Sequence, residues 1–234
     1  MLGAFQYPAC QNDSESPVNS LPEPTSMGIL PLKVGDYWEY REFALGDSGT
    51  VGGEIGTSAF KISRLSVVAS STNRDTVFHW VYVDVKTGVV GNIEFLYRNF
   101  DSGLYMMGGV GPEDTLYTKL LRLSYPVQKG ETWISPHLVY NLAESKFLIP
   151  DSQVYRCTDT SASFETPLGN FTCLVYNHME TLEEVPGTLR DVYDYYVAGV
   201  GRVGSDIYNY RESTQERYPL SRSFLVSTNV PLGR

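Results

Sequence analysis

The sequence predicts an all-β fold, a curved antiparallel sheet (half-barrel or barrel-like) of about ten strands with at most one short helix. Three observations predict it. Aromatic residues make up 13% of the 234 residues, and 17 of them are Tyr, a composition typical of strands. The 21 Gly and 13 Pro residues supply turns. Strand-like runs recur at short spacing between these turns, as in antiparallel meanders, sandwiches and barrels.

The predicted strands each end at a turn-forming cluster, such as Gly46-Asp47-Ser48-Gly49 or Thr87-Gly88. In chain order they are residues 34–45, 60–69, 76–86, 89–100, 116–125, 154–165, 171–181, 190–197, 202–211 and 221–230. Residues 138–148 form the one helix candidate, and their apolar spacing is weak.

Residues 1–29 are predicted to be a disordered tether, because after Cys10 they are polar and rich in Pro. The small residue Ala9 directly precedes Cys10, as at the cleavage site of a bacterial lipoprotein signal peptide. On this interpretation residues 2–9 are a signal-peptide remnant and Cys10 is the lipidated residue. The alternative is a disordered N-terminus with an incidental Cys.

Residues 30–234 are predicted to form a single antiparallel β domain. One short sequence pattern, called the echo here, occurs twice within it. The pattern Pro31-x-x-x-Gly35-Asp36-x-Trp38 recurs as Pro126-x-x-x-Gly130-Glu131-x-Trp133. In each copy, Gly permits the turn, the acid can accept a hydrogen bond from a turn amide, and Trp begins a buried strand. The echo predicts two pseudo-repeated halves, residues 30–124 and 125–232. Two unrelated strand entries with similar chemistry are the alternative.

The predicted strand at residues 76–86 is apolar on both faces. Phe78, Trp80 and Tyr82 lie on one face, and Val77 and Val81 lie on the other. A sheet that is exposed on one side alternates apolar and polar residues, so both faces of this strand must be covered. Phe78, Trp80 and Tyr82 are therefore candidates for the lining of an apolar ligand site. Ordinary core packing is the alternative.

Cys157 and Cys173 are candidates for a disulfide if the protein is exported. A regular hairpin centred on Leu168-Gly169 keeps them too far apart, so the bond requires a bulge near residues 160–163. Two buried free thiols are the alternative.

The net charge of −9 argues against a nucleic-acid partner. No metal-ligand spacing and no nucleotide-binding loop occurs, and the sequence predicts no catalytic residue, metal or cofactor. Ser48 lies in a Gly-Asp-Ser-Gly segment that matches the nucleophile loop of chymotrypsin-like proteases. Those proteases require a His before the Ser, and no His precedes Ser48. Hydrolysis by loop carboxylates, Glu183-Glu184 or Asp191 with Asp194, is the less favoured enzymatic alternative.

Residues 166–176 follow the pattern T-P-x-G-x-F-x-C-x-x-Y, and residues 195–203 read YYVAGVGRV. With the Pro31–Trp38 opening, these segments resemble a family of uncharacterised bacterial envelope lipoproteins. Leu168 and Arg202 depart from its commoner residues. That family is remotely similar to the half-barrels of periplasmic lipoprotein carriers, whose concave face holds acyl chains.

These observations predict a non-enzymatic, exported lipoprotein of the cell envelope, periplasmic or at the outer membrane. Its expected ligand is apolar, such as a lipid or acyl chain, and its expected contact with a membrane is through the acyl anchor alone. A structural or protein-interaction module of the envelope, with an unknown protein partner, is the alternative.

Overall fold

The computed structural model describes residues 28–69, 74–181 and 188–232. These ranges contain twelve β-strands and no helix. The strands are β1 Tyr37–Leu45, β2 Val51–Ala69, β3 Arg74–Val83, β4 Val90–Phe100, β5 Gly103–Val110, β6 Thr115–Ser124, β7 Thr132–Asn141, β8 Lys146–Thr166, β9 Gly169–Thr181, β10 Thr188–Val197, β11 Gly201–Arg211 and β12 Glu216–Thr228.

All twelve strands belong to one antiparallel sheet in the order β6-β5-β4-β3-β2-β1-β12-β11-β10-β9-β8-β7. The first six and the last six strands each form a meander, and the β1–β12 pairing joins the two meanders. The sheet curls into a nearly closed barrel whose one unsealed seam lies between β6 and β7. The all-β, barrel-like prediction is therefore confirmed.

The structure has two more strands than the sequence predicted, β5 and β7. The sequence does not predict β5, because Gly108 and Gly109 interrupt its apolar pattern. A Cβ on Gly109 would lie 2.4 Å from the Phe147 ring, so the strand needs glycine for close packing.

The helix expected at residues 138–148 is wrong. These residues instead end β7, turn at 142–145 and begin β8. The Asn141 side-chain oxygen accepts hydrogen bonds from the backbone N–H groups of Ala143 and Glu144, at 2.9 and 3.2 Å. This Asx-type turn favours a hairpin over a helix.

The first copy of the echoed sequence forms a turn that leads into β1. The Gly35 N–H donates to the Ile62 carbonyl, and the Ile62 N–H donates to the Asp36 carbonyl, both at 2.9 Å. The Asp36 carboxylate accepts from the Lys33 N–H at 3.0 Å. Gly35 has a φ of 96°, a conformation that favours glycine.

The second copy repeats these bonds at the entry to β7. Gly130 N–H donates to the Cys157 carbonyl, Cys157 N–H donates to the Glu131 carbonyl, and the Glu131 carboxylate accepts from the Gln128 N–H. A glycine followed by an acidic residue thus makes the same set of bonds at the entry to β1 and at the entry to β7. The wider interpretation as two pseudo-repeated halves stays a prediction.

The main hydrophobic core includes the start of the described chain. Ile29 is fully buried, and the Gly28 carbonyl accepts a hydrogen bond from the Gly199 N–H at 3.0 Å. The packed part of the chain therefore includes residues 28 and 29, which the sequence assigned to the tether. Residues 1–27, with Cys10, lie outside the described residues.

Candidate functional site

A cleft of about 540 Å³ lies within the barrel. This volume is typical of sites that bind small ligands. Eight of the sixteen lining residues are aromatic, five are aliphatic, and His137 and two arginines complete the lining. The aromatic lining residues are Tyr40, Phe60, Trp80, Tyr82, Phe95, Tyr97, Tyr140 and Tyr196, and the arginines are Arg122 and Arg202.

Trp80 is the centre of the aromatic wall. Its indole stacks on Trp38 at 5.0 Å and on Phe60 at 5.2 Å between ring centroids. The Tyr97 ring meets it edge-on at 6.0 Å. Trp38 itself is fully buried beneath this wall, and its indole N–H donates to the Val200 carbonyl at 2.8 Å. Because its rings are packed against one another, the wall presents a preformed apolar surface.

The three candidate lining residues of β3 occupy different depths. Trp80 and Tyr82 line the cleft, and Tyr82 stands at its edge with 45% of its surface exposed. Phe78 is buried in the core and does not line the cleft.

The opposite face of β3 is also covered. Val77 is buried with Leu96 and Met107 in a separate cluster. His79, in the same face, is 2% exposed and contacts Ser66 Oγ through Nε2 at 2.7 Å and Glu94 through Nδ1 at 2.5 Å. Burial lowers the pKa of His79, which favours the neutral imidazole.

Ser66, His79 and Glu94 thus have the connectivity of a serine-hydrolase triad. Glu94 is also paired with Arg64 at 2.7 Å, and none of the three residues lines the cleft. A triad needs a substrate site and oxyanion donors beside the nucleophile. The chain of contacts is explained by the need of buried polar groups for partners.

The arginines form a basic end of the cleft. Arg202 pairs with Asp194 at 3.4 Å and lies over the Tyr40 ring at 4.7 Å. Arg122 lies over the Tyr155 ring at 5.1 Å. Its Nη1 atom is buried and has no hydrogen-bond partner within the described ranges.

The phenols near these arginines are not counterions. Burial raises the pKa of Tyr40 to about 12 and also raises the pKa of Tyr97 and Tyr196. Desolvation, followed by repulsion from Arg122, lowers the pKa of His137 in the same wall. At neutral pH the cleft is therefore lined by neutral rings and two guanidinium groups.

Cys157 and Cys173 are buried free thiols, so the candidate disulfide is not formed. The two-residue turn is Pro167-Leu168, one residue earlier than expected, because Thr166 pairs with Gly169. An irregularity between Asp159 and Ala162 does occur where a bulge was needed. With a second irregularity between Cys157 and Asp159 it shifts the pairing by only two residues, so Cys173 pairs with Ala162 and Cys157 pairs with Tyr176.

We expect both buried thiols to resist modification in the native protein. Burial raises the pKa of Cys173 to about 12 and also raises the pKa of Cys157. At about pH 8 the reactive thiolate of Cys173 is then about a thousand-fold scarcer than for an exposed Cys. Ellman's reagent, applied to a Cys10→Ser variant, should react slowly in the native state and with two thiols after denaturation. Rapid reaction of either thiol in the native state would contradict the assignment.

Of the acids considered for hydrolysis, the two that the structure describes are each paired with an arginine. Asp191 pairs with Arg217 at 2.9 Å and Asp194 with Arg202. Glu183 and Glu184 lie outside the described residues. Ser48 is exposed in a hairpin turn.

The described residues contain no group of three or more His, Cys, Asp or Glu side chains placed to hold a metal ion. None of their segments is a helix of the length and apolarity needed to cross a membrane.

Sequence reasoning missed both arginines of the cleft. A lone Arg in a strand is normally a solvated residue. The one available indication was the flanking pattern of Arg122, where Leu120, Leu121 and Leu123 leave little polar surface around it.

Fold and cleft together define a barrel-like all-β protein with an aromatic internal site. Two solved structures are similar to it: a candidate exported protein of Bacteroides fragilis with a YmcC-like fold, and a candidate lipoprotein of Parabacteroides distasonis. They share 14% and 13% identity with this chain, and each alignment has a TM-score of 0.47 and covers 86% of this chain and 98% of the other. At these values the similarity supports no statement about function. No family model and no curated protein sequence matches the chain.

Proposed function

We propose that this protein is a non-enzymatic, exported lipoprotein of the cell envelope that binds an apolar ligand, such as a lipid or acyl chain, in the internal cleft. The observation that supports the proposal is the cleft itself, about 540 Å³ of space against a stacked aromatic wall. Removing apolar ligand surface from water there provides the binding energy, with no bond chemistry. The Cys10 context supports export and acylation.

Trp80→Ser is expected to weaken binding of the neutral apolar dye N-phenyl-1-naphthylamine about tenfold. The substitution removes the ring at the centre of the wall, and each 1.4 kcal/mol of lost contact is a factor of ten in affinity. Fluorescence titration measures the dissociation constant. Trp80→Phe, which retains an aromatic ring, should bind close to the wild-type value.

Tyr117→Ser is the matched control, because Tyr117 is 58% exposed and does not line the cleft. Equal affinity of Trp80→Ser and the wild type for the dye would refute binding at this wall. Native mass spectrometry of gently purified protein should show a co-purified lipid.

The second candidate function is an interaction module of the envelope. Ile134 and Val154 pair across β7 and β8 and are 65% and 62% exposed, which leaves an apolar pair uncovered on the outer face. Light scattering distinguishes the candidates. Concentration-dependent association that is lost in Ile134→Ser, without any binding of the dye by the wild type, would favour the interaction module.

A further inference from the structure

The basic end of the cleft has an excess of positive charge. Arg122 and Arg202 provide two guanidinium groups, whereas Asp194 provides one carboxylate, which pairs with Arg202. Within the described residues, Arg122 makes no ion pair. This excess lies inside a protein whose net charge is −9.

Arg122 is half-buried, its Nη1 atom is fully buried, and it makes no ion pair within the described residues, which is costly for a guanidinium. When the guanidinium leaves water it loses its hydration, and neutral phenols replace that hydration poorly. The Tyr155 ring offers the Arg122 guanidinium only a cation–π contact. Proteins usually satisfy buried polar groups, so an unsatisfied donor in a ligand-sized cleft indicates a missing partner. Arg122 Nη1 is such a donor, on a side chain that lines the cleft.

We infer that the ligand of the cleft is an anionic amphiphile, whose carboxylate or phosphate group pairs with Arg122 while its apolar chain lies along Trp80 and Tyr97. This inference rests on the proposed function and specifies its ligand class. Planar guanidinium groups bind both kinds of acid in bidentate fashion. The aromatic wall and Arg122 belong to the same cleft, so one molecule can contact both.

The test compares probes of one chain length with different head groups: dodecanoate, dodecyl phosphate and neutral dodecanol. Isothermal titration of the wild type, below the aggregation concentration of each probe, gives the dissociation constants. A charge-assisted hydrogen bond is expected to make at least one acid bind about ten- to a hundredfold more tightly than dodecanol. Whether carboxylate or phosphate binds more tightly distinguishes a fatty acid from a phospholipid-like source.

Arg122→Gln is expected to abolish this preference while leaving the affinity for dodecanol within about twofold. Arg122→Lys, which retains the charge, should keep part of the preference. Arg41→Gln is the matched control, because Arg41 is an exposed arginine that does not line the cleft. The Arg122→Gln protein should melt no lower than the wild type, since the substitution strands no described carboxylate.

The outcomes separate the two claims. Equal wild-type affinity for acids and alcohol overturns the anionic ligand and leaves the proposed function intact. An anion preference that survives in Arg122→Gln overturns the role of Arg122. Failure of all three probes to bind overturns the proposed function as well. If Arg122→Gln does not fold, the wild-type comparison and the Arg122→Lys variant still decide the inference.

Discussion

Trp38→Ala is expected to lower the free energy of unfolding by about 3–5 kcal/mol, the range for removal of a buried large aromatic side chain. Trp38 is fully buried, its indole N–H donates to the Val200 carbonyl, and its ring supports Trp80 from below. The substitution therefore leaves a cavity and an unsatisfied carbonyl together. Urea denaturation followed by far-UV circular dichroism measures the loss.

Trp133→Ala is the matched control, because Trp133 occupies the same position in the second copy of the turn. Its side chain is only half-buried, and its indole N–H makes a longer bond, 3.4 Å, to the Arg122 carbonyl. We expect a loss clearly smaller than that of Trp38→Ala. Equal losses at the two positions, or a tolerated Trp38→Ala, would contradict the assignment of Trp38 as the main support of the wall.

Arg222→Met is expected to destabilise the protein by about 3–5 kcal/mol, because it strands a buried charge. The Asp206 carboxylate is 2% exposed and accepts hydrogen bonds from Arg222 through Nε and through Nη2, the latter at 2.7 Å. The Tyr195 hydroxyl donates a third bond at 3.0 Å. Without Arg222 the carboxylate keeps the weaker partner alone.

A double-mutant cycle with Asp206→Leu identifies the cause. If the loss comes from the stranded carboxylate, Arg222→Met should cost much less when Asp206 is already Leu. Arg41→Met is the control, since Arg41 makes an exposed 3.7 Å pair with Glu54 and its loss should change stability by no more than about 1 kcal/mol. An additive cycle would show that Asp206 is not the reason.

The sheet could be predicted because it obeys local rules. Turn clusters such as Gly46–Gly49 and the two-residue alternation of β3 have direct physical meaning in one sequence window. β5 and the β7–β8 hairpin cannot be recognised in one sequence window. In β5, Gly109 leaves room for the ring of Phe147, far away in the chain, and the Asn141 turn resembles a weak helical segment.

The cleft could be predicted only in part. The two apolar faces of β3 indicated Trp80 and Tyr82. The sequence of this strand alone shows that both of its faces are apolar and must be shielded from water. Phe78 shares that face but lies deeper, which depends on barrel curvature. Arg122 and Arg202 come together only when the sheet curls and brings β6 near β11, so no sequence window contains their relationship.

The seam between β6 and β7 has a consequence for the behaviour of the molecule in a crowded compartment. An unpaired strand border is a template on which a foreign extended chain can add, the first step towards fibres. Here the two borders face each other and are joined through a side chain, since the Trp133 indole N–H on β7 donates to the Arg122 carbonyl on β6 at 3.4 Å. Pro136 in β7 and Lys119 in β6 further discourage such addition, because proline lacks a donor and lysine repels a like neighbour. The seam that leaves the barrel incompletely closed therefore carries features that oppose the growth of larger assemblies.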